Sequence, residues 1–164
     1  MSKSIDKLII NNPYEEPKKH WLYNREDKSF LLQDGRRNSG YWKSSAQRLD
    51  ENDPGEFVEI KLVNTIRQRV KKWRENNYPN VTPITKKLLN FWKNKNERDQ
   101  NQNPFFCQLE AIETAIWLTE GLDSDKQGIN IPKDSDWVRE CFKLATGTGK
   151  TVVMSMLIAW HVLN

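Results

Sequence analysis

The chain has 164 residues, enough for one ordinary domain, and with 37% hydrophobic residues and seven Trp it is too rich in large apolar side chains to be disordered throughout. No stretch approaches the roughly 20 apolar residues that span a bilayer, and the polar Met1–Lys7 leads into no signal-type apolar run, which excludes a membrane partner of that kind and predicts a cytoplasmic protein. The net charge of +4 conceals a block from Lys61 to Lys95 with ten Lys or Arg against one acid, Glu75, a balance that suits a polyanion such as DNA or a solvated helix face.

Residues 1–57 read as an irregular N-terminal segment. Pro13, Pro17, Gly35, Gly40, Pro54 and Gly55 punctuate short runs such as Ser29-Phe30-Leu31-Leu32. The aromatics Trp21, Tyr23, Phe30, Tyr41 and Trp42 point to a few short strands that pack onto something else, with no core of their own.

Residues 58–100 read as a basic helical region. Leu62, Ile66, Val70 and Trp73 recur at steps of four, four and three, which places them on one face of a helix with Arg67, Lys71, Lys72 and Arg74 opposite. Tyr78-Pro79-Asn80 ends that helix. Thr82 is placed to cap the next one, with Pro83 at its first position. Ile84, Leu88 and Phe91 give its apolar stripe, widened by Leu89 and Trp92. The polar run Lys93–Gln102 reads as a linker.

Residues 101–164 begin with Asn103-Pro104 opening a third helix that runs to about Thr119 and is apolar over most of its surface. A polar loop follows from Gly121 to Asp136, then a short buried strand over Val138–Leu144 and a turn over Gly147–Gly149. The last helix, Lys150–Leu163, carries Val152, Val153, Met154, Met156, Leu157, Ile158 and Trp160 on nearly every side. A helix apolar all round belongs between other elements, so the chain reads as the N-terminal piece of a longer one. Cys107 and Cys141 have no CxxC partner and no His cluster beside them, and read as reduced thiols.

Between the expected strand and the last helix lies Thr146-Gly147-Thr148-Gly149-Lys150-Thr151. Strand–turn–helix is the context in which such a loop cradles a triphosphate. Gly147 and Gly149 permit positive φ and leave no Cβ in the way of phosphate, so successive backbone N–H groups can turn inward. Lys150 would set its ammonium near the β- and γ-phosphates, and Thr151 would offer its hydroxyl to Mg²⁺. The G-x-x-x-x-G-K-[ST] pattern is met except at its first glycine, where Leu144 stands. The alternative is a glycine-rich turn with an incidental lysine. Upstream, Phe105-Phe106-Cys107-Gln108 places an aromatic and a Gln at the head of a buried helix. Gln108 could pair with adenine through its two amide atoms while Phe106 or Phe105 packs on the base; the plainer reading is a helix start with two core rings.

These pieces resemble the N-terminal part of a superfamily 2, DEAD/DEAH-box helicase family protein of the type III restriction endonuclease Res-subunit kind. The likeness is carried by Pro13-Tyr14-Glu15-Glu16-Pro17, Gly40-Tyr41-Trp42, Tyr78-Pro79-Asn80-Val81-Thr82, the stretch Phe105–Leu118 and the stretch from Leu144 to the end. The resemblance implies an α/β fold, with 101–164 as the start of a P-loop RecA-like ATPase domain. It implies ATP and Mg²⁺ as cofactors and DNA as partner, together with a modification methyltransferase subunit or a C-terminal part of the same protein. It places Thr146, Gly147, Thr148, Gly149, Lys150, Thr151, Gln108 and Phe106 around the nucleotide, Lys150 and Thr151 being catalytic and Thr151 the Mg²⁺ ligand. No acidic D-E-x-x box and no nuclease carboxylate cluster follows the loop in these 164 residues, so ATP hydrolysis is not expected of this piece alone. Two other readings stay open: a nucleic-acid-binding module using the basic block with Trp73, Phe91 and Trp92, and a non-functional remnant of a split gene.

Overall fold

The computed structural model describes residues 8–44, 53, 55–94, 103–130 and 141–164. They form a mixed α/β structure of four α-helices and two small antiparallel sheets. The chain divides into two compact units, Met1–Asn64 and Thr65–Asn164.

The first unit contains more regular structure than its punctuation suggested. β1 (Lys19–Asn24) and β2 (Ser29–Asp34) form a hairpin in which Tyr23 stands opposite Phe30, their rings edge to face at 5.3 Å. Asn24 starts the turn by accepting from the Glu26 N–H, and Lys28 completes it in the left-handed region. β3 (Gly40–Lys43) pairs with β4 (Glu56–Glu59), where Trp42 meets Phe57 in the same edge-to-face way at 5.1 Å. Aromatic cross-strand pairs are what lets such short strands hold register. Of the large apolar side chains described here only Tyr23 is buried, in keeping with a segment expected to lack a core. Asn64, the last residue of this unit, holds Ser39 just before β3, accepting from the Ser39 N–H at 2.7 Å and donating to its carbonyl.

The second unit is helical. α1 (Lys61–Glu75) buries Val70 and Trp73, with Ile66 packed beside them, as the spacing predicted. Its end is held by an unusual turn in which Asn77, Tyr78 and Asn80 all have positive φ. Tyr78 tolerates this because its ring is buried edge-on against Trp73 and its hydroxyl donates to Glu113 Oε1 at 2.5 Å. α2 (Pro83–Lys93) starts as expected, with Thr82 Oγ1 accepting from the Thr85 N–H and Pro83 in the first turn. Its buried stripe is rotated from the predicted one. Thr85, Leu89 and Trp92 face inward, whereas Ile84 and Phe91 are exposed. The reason is polar: the Thr85 hydroxyl donates to Glu120 and accepts from the Trp160 indole, which draws that edge of the helix into the core.

α3 (Phe106–Glu120) is the buried centre, with Ile112, Ile116 and Trp117 fully covered. α4 (Lys150–Leu163) lies against it through Val153, Met156 and Trp160, and leaves Met154, Ile158 and Val162 exposed. Side chains from α1, α2, α3 and α4 share one core within the second unit.

The expected strand is not formed where it can be followed. Val138–Glu140 lie outside the described residues, and Cys141–Ala145 has no strand geometry. A parallel strand takes its hydrogen bonds from neighbouring strands, and none of the described residues pairs with this segment. Among the described residues, the strand–loop–helix unit expected over 101–164 shows its loop and its helix. No helix among the described residues is long and apolar enough to cross a membrane.

Candidate functional site

α4 begins without a side-chain cap. Its N-cap is Gly149, at φ 72° and ψ 50°, and Gly147 two residues earlier has φ 80°. Thr146, Thr148 and Lys150 have negative φ, so the sign alternates along the loop. Alternation of this kind turns successive N–H groups toward one side and makes an anion nest. Among the described residues, the backbone N–H groups of Gly147, Gly149, Lys150 and Thr151 donate to no acceptor. They are the unsatisfied donors of a helix start, where the helix dipole also favours negative charge.

Space is available on one side of this loop. A Cβ built at Gly147 meets nothing within 4 Å, whereas one built at Gly149 runs into the Gln108 side-chain amide. The open side belongs to Gly147, and the closed side to Gln108.

The loop folds its own donors onto one carbonyl. Ala145 O accepts from Thr148 Oγ1 at 2.7 Å and from Lys150 Nζ at 2.9 Å. Thr148 is half-exposed and Lys150 is exposed. A phosphate in the nest would compete for the same ammonium. Thr151 is exposed in the first turn, and its hydroxyl has no partner among the described residues. No cluster of three His, Cys, Asp or Glu side chains suited to a metal occurs among those residues. A Mg²⁺ ion here would rest on Thr151, on water and on the nucleotide's own oxygens, the mode in which this ion keeps most of its hydration.

Gln108 does reach the loop, 40 residues away in sequence, but both ends of its amide are engaged by the protein. Nε2 donates to Thr148 O at 2.7 Å and Oε1 accepts from the Phe105 N–H at 2.8 Å. The second contact is half of a capping box; Phe105 has no side-chain acceptor to supply the other half. Gln108 is only 4% exposed. It braces the loop against the head of α3, and pairing with adenine would need one of these bonds to break or to be shared. Phe106 is half-buried, and one face of its ring is covered by the Arg74 guanidinium, 5.2 Å from the ring centre. Cys107, next to it, has its thiol pKa pushed up by burial.

Arg74 also marks a buried network that the sequence did not announce. Its Nε donates to Glu113 Oε2 at 2.7 Å. Nη2 lies 2.6 Å from the same oxygen but is not aligned for a hydrogen bond, so it adds charge only. Burial works against the guanidinium's charge, and Glu113 more than offsets it, leaving the Arg74 pKa raised.

The basic block is partly consumed inside the fold. Arg67 lies 4.0 Å from Glu110, Arg69 donates to the Asp125 carbonyl, and Lys86 donates to Asn77 O. Trp73 and Trp92 are buried and unavailable for stacking bases; Phe91 is exposed. No protein-family model, curated protein or solved structure matches this chain.

Proposed function

We propose that this chain binds the phosphates of ATP, with Mg²⁺, through Thr146–Thr151, as the N-terminal part of a helicase-like DNA translocase of the type III restriction Res-subunit kind. The observation that carries the reading is the row of unengaged N–H groups over two left-handed glycines at the uncapped start of α4. Such a helix start offers a polyphosphate several N–H donors and a positive helix end. Lys150 stands at its edge and Thr151 in its first turn. The RecA-like domain and a methyltransferase partner rest on the sequence resemblance, and DNA as substrate rests on it and on the basic block Lys61–Lys95.

Titration of the chain with a non-hydrolysable ATP analogue and Mg²⁺, against Lys150→Ala, tests the reading. Loss of one charge-assisted contact to phosphate weakens binding by about tenfold or more. Equal affinity for the two proteins overturns the assignment.

A further inference from the structure

The first unit leaves one strand edge open. In an antiparallel pair, residues alternate between turning their backbone groups toward the neighbouring strand and turning them away. The Gly35 N–H donates to Lys18 O at 2.6 Å, so Lys18 and Gly35 are a pair that bonds inward. Carried along the register, this turns the backbone groups of Lys19, Trp21 and Tyr23 outward on β1, and those of Phe30, Leu32 and Asp34 outward on β2. The β1 edge is closed at its first residue: Asn11 accepts from the Lys19 N–H at 3.0 Å and donates to the Lys19 carbonyl at 2.8 Å. On the β2 edge no described residue meets the outward groups of Phe30 and Leu32.

This edge lacks the usual protection. Between Lys28 and Asp34 it reads Ser-Phe-Leu-Leu-Gln, with neither a charge nor a proline. Leu31, Leu32 and Leu22, which stands across the hairpin from Leu31, are all exposed. A lone two-stranded hairpin is marginal in water and gains from further strands that extend its apolar faces. Residues 28–34 are complementary to themselves when run antiparallel about Leu31. Leu31 then stands opposite the partner's Leu31, Phe30 opposite the partner's Leu32, and Ser29 opposite the partner's Gln33. Phe30 and Leu32 are the residues with outward backbone groups, so in this register they exchange hydrogen bonds. Lys28 comes beside the partner's Asp34, and Asp34 beside the partner's Lys28. Both side chains are exposed, and Asp34 has only a 4.0 Å contact with Lys19 to give up or share. The register centred on Leu32 also matches the outward groups, but it sets Asp34 against the partner's Phe30 and loses both ion pairs.

We propose that β2 pairs with β2 of a second copy of this chain, forming a four-stranded antiparallel sheet about a two-fold axis at Leu31. The interface uses the same patch on both copies. On one face Leu22 and Leu31 continue into the partner's Leu31 and Leu22. On the other, Trp21 and Leu32 continue into the partner's Phe30 and Tyr23. The pairing does not require that the glycine loop bind ATP.

Sedimentation velocity of the full chain over a range of concentrations tests this. A monomer–dimer equilibrium is expected. Leu31→Lys opposes two ammoniums at the axis and is expected to leave monomer alone. Leu32→Pro removes an outward N–H and no bond within the hairpin, so it is expected to be monomeric with an unchanged far-UV circular dichroism spectrum. Lys28→Asp sets like charges together at two symmetric places and should weaken dimerisation by about fivefold or more. Adding Asp34→Lys to it should restore the dimer. A chain that is monomeric at every concentration overturns the proposal. So does a dimer that none of these changes weakens, as one formed through the exposed side of α4 would be. A Lys28→Asp defect that Asp34→Lys leaves unrepaired overturns the register about Leu31.

Discussion

Gln108 Nε2 donates to the carbonyl oxygen of Thr148 at 2.7 Å, joining the first turn of α3 to the loop that opens α4. The same amide takes the Phe105 N–H, so one buried side chain satisfies two backbone groups from separate segments. Replacing it with Ala strands both. Each buried polar group left unpaired costs about 1–3 kcal/mol, and the loop loses its brace. Gln108→Ala is expected to lower the unfolding midpoint in denaturant and to weaken nucleotide binding together. If stability falls while affinity is untouched, Gln108 serves the fold and not the site.

The two loop glycines should separate into different phenotypes. Both have positive φ, so a Cβ at either strains the backbone by about 1–2 kcal/mol. At Gly147 the added methyl enters open space, the side on which phosphate has room to approach. At Gly149 it collides with the Gln108 amide and must break that brace. Gly149→Ala is therefore expected to be the less stable protein by thermal unfolding. Gly147→Ala should keep most of its stability and lose nucleotide affinity. The reverse ranking in stability would show that the loop does not lean on Gln108.

Tyr78 links stability to alkaline pH. Burial, then the charge of Glu113, then the hydrogen bond donated to it hold the phenol pKa well above its ordinary value of 10.0. In the unfolded chain the phenol ionises near that ordinary value. The folded state then keeps a proton that the unfolded state has lost, so unfolding releases it and stability drops as pH rises. The contribution is complete below pH 10 and declines above it. Urea unfolding between pH 8 and 11 should show this decline, with a shallower slope in Tyr78→Phe. Parallel slopes in the two proteins would place the titrating group elsewhere.

Legibility from sequence followed the kind of interaction involved. α1 and α3 could be read because apolar burial repeats with the helix period at Val70 and Trp73 and at Ile112 and Ile116. The start of α2 could be read because a Thr cap followed by Pro is local chemistry. The inward face of α2 could not, because Thr85 looks like a surface residue until its partners arrive from α3 and α4. Glu113 and Tyr78 were invisible for the same reason, their bond spanning 35 residues. The glycine loop stood out as a motif, and its left-handed glycines follow from residue type. That Gln108 would bind the loop's own carbonyl was not legible, since the motif reading assigned both amide atoms to a ligand.

The cluster at the far ends of α3 and α4 gives the last prediction. Glu120 Oε1 accepts from Thr85 Oγ1 at 2.7 Å, from the Trp160 indole at 2.9 Å and from Asn164 Nδ2 at 3.2 Å. Its Oε2 accepts from the Thr82 N–H at 3.0 Å, at the N-terminus of α2, where the helix dipole adds to the attraction. One carboxylate thus joins α2, α3 and α4, and Thr85 shares the Trp160 donor with it at 3.0 Å. Glu120→Gln removes the charge and turns an amide donor toward groups that are donors already. Thr85→Val leaves the carboxylate and the indole each short of one partner. Each change should cost about 1–3 kcal/mol. Because the two residues share partners, the double variant should lose less than the two singles added together, by at least about 0.5 kcal/mol. Urea unfolding of the four proteins measures this. Strict additivity would mean that Thr85 and Glu120 act separately, and that α4 is held to α2 and α3 by apolar packing alone.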